Sequence, residues 1–125
     1  MIFGIGTDIV HIKRMRDNLD KYGNKFARRI LTELEFIEFE TKHDQAAFLA
    51  KRFAAKEATA KAMGTGFSKG LSLHHIGVEH DDVGKPILAF LDVAEKFLQE
   101  NKIKQAHLSL ADEREYAVAF VTLVN

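Results

Sequence analysis

Apolar and polar positions alternate in two different rhythms along this chain, and the change between them divides it in half. Ile2 to Ile12 is β-branched and apolar, with Gly4 and Gly6 inside it, and reads as a first strand whose glycines mark a close approach by another backbone or a ligand. Ile12, Met15 and Leu19 then fall at helical spacing, which predicts a short helix stopping near Gly23. A second helical piece follows over 24–31. Thr32 and Glu35 form a capping-box pattern at the head of a third helix. Asp44 is placed to cap the longest helix, about 45–63, which contains eight alanines and ends at Gly64.

The second half is strand-like. His75–His80 and Pro86–Leu91 read as strands around the turn Asp81-Asp82-Val83-Gly84. Asp92 is placed to cap a helix to about Asn101, and Ala106–Leu110 and Tyr116–Val124 form a second strand pair. Strand, helices, strands, helix, strands is the order of an α+β fold, with helices packed against a mainly antiparallel sheet. The last strand is apolar on both faces except at Thr122, so both faces need cover. One face can meet the long helix, and a neighbouring subunit is a reasonable cover for the other.

The length of 125 residues suits a single domain, residues 1–125. With no cysteine there is no disulfide, thiolate metal site or thiol nucleophile, and a reducing setting is expected. No apolar run reaches membrane length, and the first residues lack the basic region of a signal peptide, so the expected location is the cytoplasm. The formal net charge of zero argues against a nucleic-acid footprint. It conceals blocks of alternating sign. Residues 13–29 carry +5, 30–41 carry −4, 42–70 carry +4 and 71–125 carry −4. Two basic segments in a neutral chain are either solvated faces or patches for acidic partners.

Several residues are candidates for chemistry. Asp8 lies in an apolar segment after two glycines, where it can hold a metal ion or cap the next helix. Leu49, Phe53, Glu57 and Lys61 form one i, i+4 row on the long helix, so Glu57 and Lys61 are either a surface pair or part of a site. Arg52 and Lys56, also four apart, repel each other unless an anion sits between them. Gly64-Thr65-Gly66 follows a helix, where a P-loop would precede one, so helix termination explains Gly64 better than phosphate binding does. No two histidines have H-E-x-x-H spacing, and no serine-hydrolase elbow is present. Carboxylates with lysine and arginine and no soft ligands favour a hard cation such as Mg²⁺ acting on a phosphate substrate. They leave open another Mg²⁺-dependent transferase or hydrolase, or a binding module without catalysis.

Gly4-Ile-Gly6-Thr7-Asp8-Ile9-Val10, Arg52-Phe53-Ala54-Ala55-Lys56-Glu57-Ala58 and Lys61-Ala62 with Gly64-Thr65-Gly66 resemble the signature stretches of the bacterial holo-acyl-carrier-protein synthases, a family of 4′-phosphopantetheinyl transferases. Gly84-Lys85-Pro86, His107-Leu108-Ser109-Leu110 and Tyr116-Ala117-Val118-Ala119 extend the likeness over the whole chain. The resemblance implies Mg²⁺-dependent transfer of 4′-phosphopantetheine from coenzyme A to a serine of apo-acyl carrier protein, in support of fatty acid biosynthesis. Adenosine 3′,5′-bisphosphate would be released. It implies Asp8 and Glu57 as metal ligands, with Glu57 and Lys61 catalytic. Arg52, Lys56, Lys61, the Gly64-Thr65-Gly66 loop, Gly84, Lys85, Pro86 and His107 would contact coenzyme A. The family's homotrimers share active sites between subunits. Arg14, Arg28 and Arg29, in the +5 block, are expected to meet the acidic carrier protein. Two positions depart from the pattern: His11 stands where glutamate is usual, and Ala111-Asp112 replaces a small hydroxyl residue followed by histidine.

Overall fold

A computed structural model describes residues 1–125. Strand β1 (Ile2–His11) leads into helices α1 (Ile12–Tyr22), α2 (Asn24–Ile30), α3 (Glu33–Glu40) and α4 (Gln45–Met63). A 3₁₀ turn (Leu73–His75) precedes the hairpin β2 (Ile76–His80) and β3 (Pro86–Phe90). Helix α5 (Val93–Glu100) and strands β4 (Gln105–Asp112) and β5 (Tyr116–Val124) complete the chain. Both sheets are antiparallel, one ordered β1-β5-β4 and the other β2-β3, so the α+β expectation holds.

Local chemistry sets most helix ends. Thr32 and Glu35 exchange both capping-box bonds, Asp44 accepts from the Ala47 amide at 3.1 Å, and Gly64 closes α4 with φ 81°. Asp81 ties the β2–β3 turn by accepting from the amides of Val83 and Lys85. Two expectations fail. Asp92 makes no side-chain cap on α5 and itself adopts φ 51°. His75 belongs to the 3₁₀ turn rather than to the strand, held where its Nδ1 accepts from the Ser72 amide at 3.0 Å.

Helix α4 lies directly on β1 and β5. Alanine and glycine make that approach possible: a Cβ built on Gly4 would stand 2.0 Å from the Ala62 carbonyl oxygen, and one on Gly6 only 1.9 Å from that of Ala58. The β1 glycines therefore answer to a helix backbone. Ala117, Ala119, Val121 and Leu123 of β5 point into this core. The other face of the sheet carries Ile5, Ile9, Val118 and Phe120, with Ile9 64% and Phe120 45% exposed. Nothing within the chain covers it. No helix is long and apolar enough to cross a membrane.

Candidate active site

Close contact of β1 with α4 brings Asp8, Glu57 and Lys61 together. Asp8 pairs with Ala119 in the sheet register, which turns its side chain toward α4. His11, not Asp8, immediately precedes α1, and its side chain makes no cap, so the capping alternative for Asp8 is removed. Lys61 does not pair along the helix with Glu57. Its Nζ reaches across to β1 and donates to Asp8 Oδ1 at 3.1 Å and to the Thr7 carbonyl at 3.0 Å. Burial first, and the charge of Asp8 second, push the Glu57 carboxyl above its ordinary range, while Lys61 and Arg14 pull it back. Two carboxylates against one lysine form a locally anionic patch, suited to a hard cation by charge and by ligand type.

On the same helix, the basic pair Arg52 and Lys56 does have an anion between it, and that anion is the chain's own. The buried Glu35 carboxylate accepts from Lys56 Nζ at 2.6 Å and stands 3.5 Å from Arg52 Nε. It also accepts from the Val78 amide at 2.9 Å and from the Thr32 amide at 2.9 Å. Lys56 is 0% exposed, and its remaining donors go to the carbonyls of Leu73 and Ile76. This corrects the expectation that Lys56 contacts coenzyme A, because its ammonium is enclosed and fully engaged within the chain. Burial pulls the Lys56 pKa down from its usual range, with Glu35 opposing. The spacing announced a missing anion, but Glu35 lies 21 residues away and had already been given a capping role.

Arg52 is buried too, yet it forms part of a cleft wall. Its guanidinium lies over the Phe48 ring, 4.5 Å from the centroid, and Nη2 donates to Glu38. Pro86 lines this cleft of about 230 Å³ and also an adjoining one of about 260 Å³ that contains Lys85 and His107. Lys85, Pro86 and His107 thus gather at the β3–β4 edge, with Gly84 at φ 84° in the preceding turn. His107 pairs with Thr122, on the opposite sheet face from Asp8. One chain does not bring His107 to the Asp8–Glu57–Lys61 group.

The loop of Gly64, Thr65 and Gly66 ends α4 three residues beyond Lys61, and both glycines have positive φ. Arg14 is exposed on α1, with its guanidinium 5.6 Å from the Phe53 ring centroid. Arg28 and Arg29 are exposed on the last turn of α2, with Arg28 stacked 3.8 Å over Phe36. His11 stacks on Tyr116 across the β1–β5 ladder, and Asp112 stands 3.9 Å from Lys51.

In this α+β fold a carboxylate pair and a lysine meet at a helix–strand contact. Residues 4–121 match the model of the 4′-phosphopantetheinyl transferase superfamily. The holo-acyl-carrier-protein synthase of Nitrosococcus oceani is 54% identical over 124 residues, covering 99% of this chain and 80% of that protein. The crystal structure of the Neisseria meningitidis synthase superposes with a TM-score of 0.95 at 46% identity, covering 100% of both chains. That of the Bacillus anthracis synthase, in complex with CoA (3′,5′-ADP), gives 0.82 at 42% identity, covering 98% of this chain and 96% of that one. The chain belongs to the 4′-phosphopantetheinyl transferase superfamily and, within it, is an enzyme of the holo-acyl-carrier-protein synthase family.

Proposed function

We propose that residues 1–125 act as one cytoplasmic transferase domain that moves 4′-phosphopantetheine from coenzyme A to a serine of apo-acyl carrier protein, supplying fatty acid biosynthesis. The observation that carries this reading is the meeting of Asp8, Glu57 and Lys61 at the β1–α4 contact. Asp8 and Glu57 would hold Mg²⁺, which, when bound, neutralises charge on the pyrophosphate. Lys61 offers a point charge to the same phosphates. The serine Oγ forms a bond to the phosphorus of the phosphopantetheine phosphate as the bond to the adenosine 5′-phosphate breaks. Adenosine 3′,5′-bisphosphate leaves. Glu57, or a water held beside it, would accept the serine proton.

The nucleotide end falls to Arg52, Gly84, Lys85, Pro86 and His107, with the Gly64-Thr65-Gly66 backbone near the phosphates. Because His107 and Asp8 occupy opposite sheet faces, a complete site calls for two chains. The bare apolar face around Ile5, Ile9 and Phe120 supports the same conclusion, and a homotrimer closes both needs. Arg14, Arg28 and Arg29 would receive the acidic carrier.

Incubation with coenzyme A and apo-carrier tests the function. Adenosine 3′,5′-bisphosphate and pantetheinylated carrier should form in equal amounts, vanish with a chelator and return with Mg²⁺. In the same assay Arg29→Glu should raise the carrier KM while the coenzyme A KM holds. Arg29 is the cleanest of the three, since Arg14 acts on Glu57 and Arg28 packs on Phe36. Coenzyme A consumption without carrier modification would contradict the proposal.

A further inference from the structure

Glu38 brings an unexplained negative charge into the basic cleft at Arg52. The cleft wall carries four groups that are cationic or can become so: Lys42, Lys51, Arg52 and His80. Asp112 stands beside Lys51 at 3.9 Å. The two Glu38 carboxylate oxygens accept from Arg52 Nη2 at 3.2 and 3.5 Å, and Lys42 Nζ stands 3.7 Å away. These are the only polar partners of the Glu38 side chain. The end of α3 is completed without it, since Thr41 donates from its amide and hydroxyl to the Glu38 backbone carbonyl.

Arg52 donates its side-chain hydrogen bonds to Glu38 alone, but it also has support on two other sides. Phe48 supports its guanidinium face, and Glu35 stands behind Nε. Arg52 is almost fully buried while the Glu38 side chain is 37% exposed, so an enclosed cation at the cleft wall carries a solvent-facing anion of the chain's own.

We infer that Glu38 holds the place of a substrate phosphate at Arg52, and that it sets coenzyme A affinity by competing with the ribose 3′-phosphate for the cations of this cleft. The inference rests on the function proposed above. There the pyrophosphate belongs beside Asp8 and Glu57, which leaves the 3′-phosphate as the other anion of coenzyme A. Pro86 links this cleft to the groove of Lys85 and His107, so an adenosine lying in that groove can direct a phosphate toward Arg52. An incoming phosphate meets favourable cations and two opposing carboxylates, Asp112 beside Lys51 and, in direct contact with Arg52, Glu38.

The test is equilibrium titration of the intact protein and of Glu38→Gln with adenosine 3′,5′-bisphosphate and with adenosine 5′-monophosphate, which lacks the 3′-phosphate. Glu38→Gln should bind the bisphosphate about three- to tenfold more tightly, as expected for removing one partly solvated like charge. Its affinity for the monophosphate should not change. Glu38→Ala should reproduce the tightening, and thermal melts verify that both variants are folded. Unchanged or weaker bisphosphate binding, or equal tightening for both nucleotides, overturns the inference alone when the wild-type protein binds the bisphosphate and turns over. A wild-type protein that binds neither nucleotide overturns the proposed function, and this inference with it.

Discussion

At the scale of single residues, Glu57 carries the clearest electrostatic signature. Its folded pKa lies above the ordinary carboxylate value of 4.5 because burial and Asp8 disfavour its charge. A carboxyl raised in this way binds its proton more tightly in the folded chain. Its contribution is complete below the unfolded pKa and is lost as pH rises through the folded pKa. Metal-free Glu57→Gln should therefore melt at higher temperature than the wild type at neutral pH, and the gap should close as pH falls toward 4.5. A gap that widens on acidification would contradict this account of the site. Transfer activity of Glu57→Gln should fall in parallel by about a hundredfold or more, the scale of losing a positioned acid–base group. Asp8, Glu57 and Lys61 were legible in the sequence through their motifs. The Lys61 partner was not, because helical spacing points to Glu57 whereas the contact that forms crosses to β1.

At the scale of elements, the Glu35 carboxylate joins α3, α4 and β2. It receives Lys56 from α4, the Val78 amide from β2 and the Thr32 amide at the head of its own helix. Lys56→Met leaves that carboxylate buried with only the more distant Arg52 as a cation, and should cost about 3–5 kcal/mol in denaturant unfolding. Glu35→Gln in the Lys56→Met background should recover part of the loss, since the uncompensated charge is removed. A loss below about 1 kcal/mol, the range of exposed pairs, would mean that Lys56 is not held as described. Helix boundaries were readable because capping is local: Thr32, Asp44 and Gly64 act within four residues of themselves. Asp92 and His75 were misread because positive φ and 3₁₀ geometry leave no periodic trace over so few residues.

At the scale of the whole molecule, the two faces of β5 should respond differently to charge. Val121 is 0% exposed in the core, whereas Phe120 belongs to the uncovered sheet face. Val121→Glu should unfold the chain, and Phe120→Glu should leave a folded species that no longer assembles, seen as a one-subunit mass in light scattering. A trimeric Phe120→Glu variant would place the subunit contact elsewhere. The sequence told that β5 needs cover on both sides, but apolar residues on both faces hid which positions turn inward. Register with β1 and β4 resolves it. The same register separates Asp8 from His107, and on this ground the proposed transfer site is completed by two copies of this chain. Co-expression of Asp8→Ala and His107→Ala chains, each expected to be inactive alone, tests the shared site. Random mixing gives a wild-type Asp8 facing a wild-type His107 at about one site in four, so adenosine 3′,5′-bisphosphate release should return to about a quarter of the wild-type rate. A mixture no more active than its two separate components would mean that the site is not shared between chains.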